Sequence, residues 1–203
     1  MSAASPEAPA VQHVYGNPAS EQCIVEFGDF ECPYCAGVAP VLKELVDSSG
    51  GHVRLIFRNF PLFEVHPHAL TAALAAESVY ASAGAEAYWT MHFKLFQHQN
   101  RLSDPDLQLY AATVGGDPTL AVGAAAHQFA PIVQADYAAG VEVGVAGTPT
   151  LFIDGEAYEG RLDLPSLRRA LGSPVLSDSG TGRADAAGRS GRAESGRRPW
   201  QRR

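Results

Sequence analysis

The sequence predicts an α/β domain in which a β-α-β unit and a closing β-β-α unit flank a block of helices. Three observations lead there. Two β-rich runs, residues 24–30 and 53–60, enclose a helical pattern. Strand signals then vanish between Pro61 and Thr150. They resume at Thr150 and end in one more short helical pattern.

Residues 24–30 are rich in β-formers and partly alternate between apolar and other side chains. Cys32-Pro33-Tyr34-Cys35 follows at once, and then Val38, Val41, Leu42, Leu45 and Val46 recur at helical spacings. Ser48, Ser49, Gly50 and Gly51 stop that helix. Residues 53–60 form the second strand, and the crossover between parallel neighbours should be right-handed.

Residues 67–143 read as an all-helical insertion. Pro67 stands at a helix start, residues 69–83 are rich in alanine and leucine, and residues 86–99 carry the aromatics of a buried helix. Ser103-x-x-Asp106 resembles a capping box for a helix through Val114, Asp117-Pro118 opens a short one, and residues 132–143 form the last. Residues 150–153 and 156–160 are strands joined by the hairpin signal Asp154-Gly155. Asp163 caps a closing helix over 164–171, and Gly172 ends it. No internal repeat is present.

Composition bounds the function. The 203 residues are 46% hydrophobic and 18% charged, enough for a real core. The net charge of -7 is unevenly spread, with 8 Lys/Arg against 19 Asp/Glu in residues 1–172 and 7 Arg against 3 Asp/Glu beyond. An acidic body argues against nucleic-acid binding. We expect a flexible N-terminus over 1–11, one domain over 12–172, and a disordered Arg-rich tail over 173–203 that lacks the apolar residues to offset ordering entropy. Residues 1–10 have no basic start and no apolar run, and no stretch is apolar enough to span a membrane, so cytoplasmic residence is expected. Three cysteines make no disulfide framework, and a close pair in a cytoplasmic chain points to catalysis or metal.

Cys32 and Cys35 carry the chemistry. A sulfur at a helix N-terminus faces unpaired N–H groups and the positive end of the helix dipole, which favours thiolate. Cys35 lies one turn on, more buried and less activated. Cys32 then attacks a disulfide, and Cys35 resolves the mixed disulfide. Pro33 suits the first helical turn because it has no N–H to leave unpaired. The competing reading is half of a zinc site, with Cys23, His66 and His68 as the nearest further donors. Pro149, just before a strand, is either an edge-strand starter or the second residue of a cis peptide bond. Glu26 in a strand is either a solvent-facing edge residue or a buried acid. His66 and His68 read as surface or capping residues, Cys23 as a small buried apolar residue, and Trp89, Phe93 and Phe96 as core.

Together these pieces resemble the thioredoxin superfamily, and within it the DsbA-like branch. The resemblance covers about residues 12–172 and rests on Val25-Glu26-Phe27-x-x-Phe30-x-Cys32-Pro33-Tyr34-Cys35, on Phe60-Pro61-Leu62, on the helical insertion, and on Gly144-Val145-x-Gly147-Thr148-Pro149-Thr150. It implies a thioredoxin fold with a cis Pro149 beside the cysteine pair. It implies that the Thr148 backbone binds an extended substrate, with Pro149, Pro33 and Tyr34 completing the substrate surface. It implies that Glu26 is a buried acid behind Cys35, exchanging a proton with it. No cofactor and no metal are expected. The expected partners are disulfide- or dithiol-containing proteins and a redox partner. The expected function is thiol–disulfide exchange with protein or small-thiol substrates. The alternatives are a non-catalytic redox-sensing or docking module and a thioredoxin-fold isomerase or transferase. Periplasmic DsbA-type oxidants carry export signals, and residues 1–10 do not resemble one.

Overall fold

The computed structural model describes residues 13–172; the expected flexible N-terminus and Arg-rich tail lie outside the described residues. Five strands form one mixed sheet: β1 (His13–Gly16), β2 (Gln22–Gly28), β3 (Val53–Asn59), β4 (Thr150–Ile153) and β5 (Glu156–Tyr158), in the spatial order β1-β3-β2-β4-β5. β2 and β3 run parallel and every other pair is antiparallel. Helix α1 (Pro33–Asp47) is the crossover between the parallel strands, and α6 (Leu164–Ala170) is the last element among the described residues. The helical insertion comprises α2 (Ala69–Gln97), α3 (Asp104–Thr113), α4 (Gly123–Ala126) and α5 (Ala130–Glu142).

β2 is the central strand, so both its faces are covered and its residues read as a nearly continuous apolar run. On one face Ile24 lies beside Leu55 of β3, over a core that includes Val38, Leu42 and Leu45 of α1 and Ala72, Val79, Met91 and Leu95 of α2. On the other face Cys23, Val25 and Phe27 join Ile56, Phe60, Val145 and Phe152. Gly140 lets α5 press onto this second face, since a Cβ there would meet the rings of Phe60 and Phe27. Cys23 therefore points away from the face that carries α1, as a buried apolar residue does. Among the described residues no group of three or more His, Cys, Asp or Glu side chains could hold a metal ion.

Several local expectations need correction. The first expected strand begins and ends two residues earlier, at Gln22 and Gly28, because the chain must turn at Asp29 to enter α1. β1 carries no strand signal strong enough to read alone, and it exists because the open edge of β3 pairs with it from His13↔Phe57 to Gly16↔Arg54. The two expected long helices form as read: α2 is two consecutive helices that break at Gly84, whose φ of 83° and ψ of -173° are not helical and which only glycine adopts freely. Ser103 does not cap the backbone of α3; its hydroxyl bonds the Asp106 carboxylate at 2.7 Å instead. Asp117-Pro118 opens a turn, held by Thr119 N–H and hydroxyl donating to Asp117, rather than a helix. The Asp154-Gly155 hairpin and the Asp163 cap form as read: both hairpin residues have positive φ, 50° and 88°, and Asp163 accepts from Ser166 N–H at 2.9 Å.

Buried polar groups tie the insertion to the sheet. His13 of β1 bonds Glu77 of α2 at 2.8 Å, and the Asn59 side chain donates to Glu77 at 2.7 Å and to Asp136 of α5 at 3.1 Å. Arg58 pairs with Asp136 at 2.6 Å, and the Asn59 backbone N–H donates to the same carboxylate at 2.9 Å. All five side chains are buried, where a lost hydrogen bond is costly.

Candidate active site

The chain leaves β2 at Gly28, turns through Asp29, Phe30 and Glu31, and enters α1 at Cys32, its N-cap. Gly28 is required by packing, because a Cβ there would strike the Phe57 ring and crowd the Glu26 carboxyl group. Pro33 occupies the first helical position, and Pro33 and Tyr34 are exposed, Tyr34 at 77%. Cys32 N–H donates to the Asp29 carbonyl and Ala36 N–H to the Cys32 carbonyl, both at 3.1 Å.

The turn is built around Asp29, which sequence reasoning did not single out. Its carboxylate is buried and accepts from Glu31 N–H at 2.7 Å, from Leu62 N–H at 2.8 Å and from His66 Nδ1 at 2.8 Å. His66 is thus a support of the loop. His68 is the N-cap of α2 without capping through its side chain; its N–H donates to the Glu31 carboxylate at 2.5 Å. Gln99, just past α2, was also not singled out. Its side-chain amide donates to the carbonyls of Phe30 at 2.9 Å and Cys32 at 2.8 Å. An acid three residues before Cys32 was the one sequence signal for Asp29, without its burial or its partners; nothing local marks Gln99.

Both cysteines are thiols here. Cys32 is more enclosed than a surface nucleophile, at 3% exposure, because the loop before β4 folds over it; Cys35 is fully buried. The Cys32 sulfur donates to the Thr148 carbonyl at 3.3 Å. Its pKa is pulled down to about 5. The Cys35 thiol is the largest cause; the Thr148 side chain and the N–H groups of Cys35 and Tyr34 add to it against the cost of burial. Cys35 is driven far above the ordinary thiol range, first by sharing its proton with Cys32, then by burial and by the nearby Glu26. The two sulfurs are thus polarised in opposite senses, as a nucleophile and a resolving thiol require.

Glu26 sits on the α1 side of β2, flanked by Phe57 on β3 and Leu151 on β4, with no solvent exposure. Neither carboxyl oxygen has a hydrogen-bond partner among the described residues. Burial, and to a lesser degree the Cys32 charge, raises its pKa to about 8. Of the two readings of this acid, the structure places it in the interior of the central strand, close enough to influence Cys35. The Thr148–Pro149 bond is cis. The structure therefore brings Cys32, Cys35, Glu26 and Thr148 together, with exposed Pro33 and Tyr34 at the rim.

Sheet order, the dithiol at the entry to α1 and the inserted helices put the fold in the thioredoxin class, in its DsbA-like branch. The chain belongs to the thioredoxin family, whose family model matches residues 9–172. It is similar to BdbD from Bacillus subtilis, at 25% identity and a TM-score of 0.71 over 85% of this chain and 97% of that one. It is also similar to the thiol-disulfide exchange protein alpha-DsbA2 from Wolbachia pipientis, at 26% identity and a TM-score of 0.68 over 78% and 84% of the two chains. Among curated proteins it is 35% identical over 169 residues to Na(+)/H(+) antiporter NhaA 1 of Salinispora arenicola, covering 83% of this chain and 25% of that protein. With NhaA 3 of Salinispora tropica it shares 37% over 174 residues, 85% of this chain and 26% of the relative. The chain thus spans about a quarter of the length of these curated relatives.

Proposed function

We propose that this protein is a thiol–disulfide oxidoreductase that exchanges disulfides with protein or small-thiol substrates through Cys32 and Cys35. The observation that carries the reading is geometric: two adjacent thiols at the N-terminus of α1, Cys32 at the N-cap against Thr148 and Cys35 one turn in and fully buried, a setting that pulls the first down and pushes the second up. A non-catalytic docking module has no use for that difference. The similarity to a thiol-disulfide exchange protein points the same way. Ion transport is the activity named for the antiporter relatives; among the described residues no helix is long and apolar enough to cross a membrane.

In the reducing direction the Cys32 thiolate attacks one sulfur of a substrate disulfide, and the other leaves as a thiolate. Cys35 gives up its proton and attacks the Cys32 sulfur of the mixed disulfide. The Cys32–Cys35 disulfide forms, and the second substrate sulfur leaves with the electron pair. Glu26, ionised in about a tenth of molecules at neutral pH given its value of about 8, takes the Cys35 proton in this step and returns it when the steps reverse. An extended substrate pairs with the Thr148 backbone in the manner of strand addition, against Pro149, Pro33 and Tyr34. Cytoplasmic residence, as proposed, sets the site against a reducing thiol pool and favours substrate reduction.

Insulin reduction with a dithiol reductant tests the proposal. The parent protein should accelerate precipitation of the insulin B chain, and Cys32→Ser should not. Equal rates with and without Cys32 would end the assignment.

A further inference from the structure

The residues of the exchange reaction come from β2, α1 and the loop before β4. Gln99 comes from none of these. It follows α2, and its side chain crosses back to the turn that carries Cys32, where one amide nitrogen donates to two carbonyls, Phe30 at 2.9 Å and Cys32 at 2.8 Å. Gln99 is partly buried, and its two acceptors lie 69 and 67 positions away in sequence. The Cys32 carbonyl already accepts Ala36 N–H, the first hydrogen bond of α1, so Gln99 occupies its second lone pair.

We infer that Gln99 is a positioning residue of the dithiol site: its amide pins the carbonyls on either side of Glu31, so that the peptide groups entering α1 keep their N–H dipoles aimed at the Cys32 sulfur. The inference rests on the reading of Cys32 as nucleophile. Pro33 contributes no N–H, so the backbone's share in holding the sulfur as an anion, beside that of the Cys35 thiol and the Thr148 side chain, comes from the N–H groups of Tyr34 and Cys35. Their direction follows from the peptide planes of the first turn. A carbonyl free to swing would bring its negative end toward the sulfur, and an anion there would lose in two ways: fewer aligned donors and an added repulsion. Because Gln99 belongs to the insertion, the insertion holds a direct grip on the nucleophile's environment.

The reacting groups are untouched by changes at Gln99, so a thiolate titration separates positioning from bulk stability. The reduced parent, Gln99→Met and Gln99→Glu are titrated by thiolate absorbance near 240 nm, with Cys32→Ser as the blank. Methionine keeps the length and removes the donor. Glutamate, once ionised, presents an acceptor to two carbonyls. The midpoints should rise in the order Gln, Met, Glu. Gln99→Met should lower the thiolate-to-thiol ratio at a given pH about tenfold. The glutathione equilibrium should shift by the same factor toward the disulfide, about 30 mV to a lower potential. A structural role alone would change melting temperature without this ordering. If Gln99→Met is not folded, as judged by circular dichroism, the Gln99→Glu titration decides alone. Midpoints equal to the parent's in a folded variant overturn the inference. A parent with no low-pH transition that Cys32→Ser removes overturns the reading of Cys32 itself, and the inference with it.

Discussion

In its thiol form Cys32 donates to the carbonyl oxygen of Thr148 across 3.3 Å, joining the start of α1 to the loop before β4 over 116 positions of sequence. The Thr148 hydroxyl is buried, bonds to no conventional donor or acceptor among the described residues, and favours the Cys32 thiolate. Thr148→Val keeps the shape and removes that hydroxyl. The Cys32 titration should rise by about half a unit, and the reduction potential should fall by roughly 15 mV. Thiolate absorbance and a glutathione equilibrium check this; an unchanged midpoint would show that the hydroxyl does not act on the sulfur.

The cysteines should differ sharply in reactivity. With a value near 5, Cys32 is almost wholly thiolate at neutral pH, whereas Cys35 is held protonated and buried. Alkylation by iodoacetamide at pH 7 should modify Cys32 at least about a hundredfold faster than Cys35 or Cys23. Cys35→Ser should accumulate a mixed disulfide with substrate, since nothing remains to resolve it. Peptide mapping by mass spectrometry reads both outcomes, and equal labelling of the three thiols would contradict the site.

Glu26 links the site to pH. Its folded value of about 8 lies above the ordinary 4.5, so between these values the folded protein holds a proton that the unfolded chain has released. Its contribution to stability is therefore full below 4.5, declines as pH rises, and is lost above about 8. Glu26→Gln should remove that slope and be more stable than the parent at pH 9 by on the order of 3–5 kcal/mol. The comparison belongs in the oxidised protein, where Cys32 has no thiolate and burial alone, the larger cause, holds the Glu26 value up, so the effect falls toward the lower end of that range. In the reduced form its lowered value adds a slope of opposite sign between about 5 and 9. Urea unfolding across this range measures the effect, and parallel curves would show that Glu26 is ordinarily ionised. The same variant should slow resolution by Cys35 and leave Cys32 alkylation nearly unchanged.

Asp136 should matter to stability and not to chemistry. Asp136→Ala takes away the partner of buried Arg58 and of two donors on Asn59. Removing one member of a buried ion pair costs about 3–5 kcal/mol, because Arg58 and Asn59 lose a shared acceptor in a buried site. Chemical denaturation should show that loss equally in oxidised and reduced protein, while the Cys32 titration stays put. A variant as stable as the parent would mean that water replaces the carboxylate.

What the sequence by itself determined is what neighbours in the chain decide. Cys32-Pro33-Tyr34-Cys35 stands between a β-rich run and a helical repeat, so the N-cap placement of the sulfur is legible from spacing alone. The Asp154-Gly155 turn and the Asp163 cap are equally local, since positive φ and a free N–H are properties of a few residues. Glu26 was legible as an odd acid in a strand, but only the placement of β2 between β3 and β4 made it buried rather than an edge residue. Tertiary structure alone decided that β1 would be a strand, that Thr148 would cover Cys32, that Asp29 would gather three donors, and that Gln99 would reach the entry to α1. Most of these contacts join residues tens of positions apart. Their energy appears only when the core brings the elements together, because a hydrogen bond across such a distance must first overcome the entropy of closing the loop between its partners.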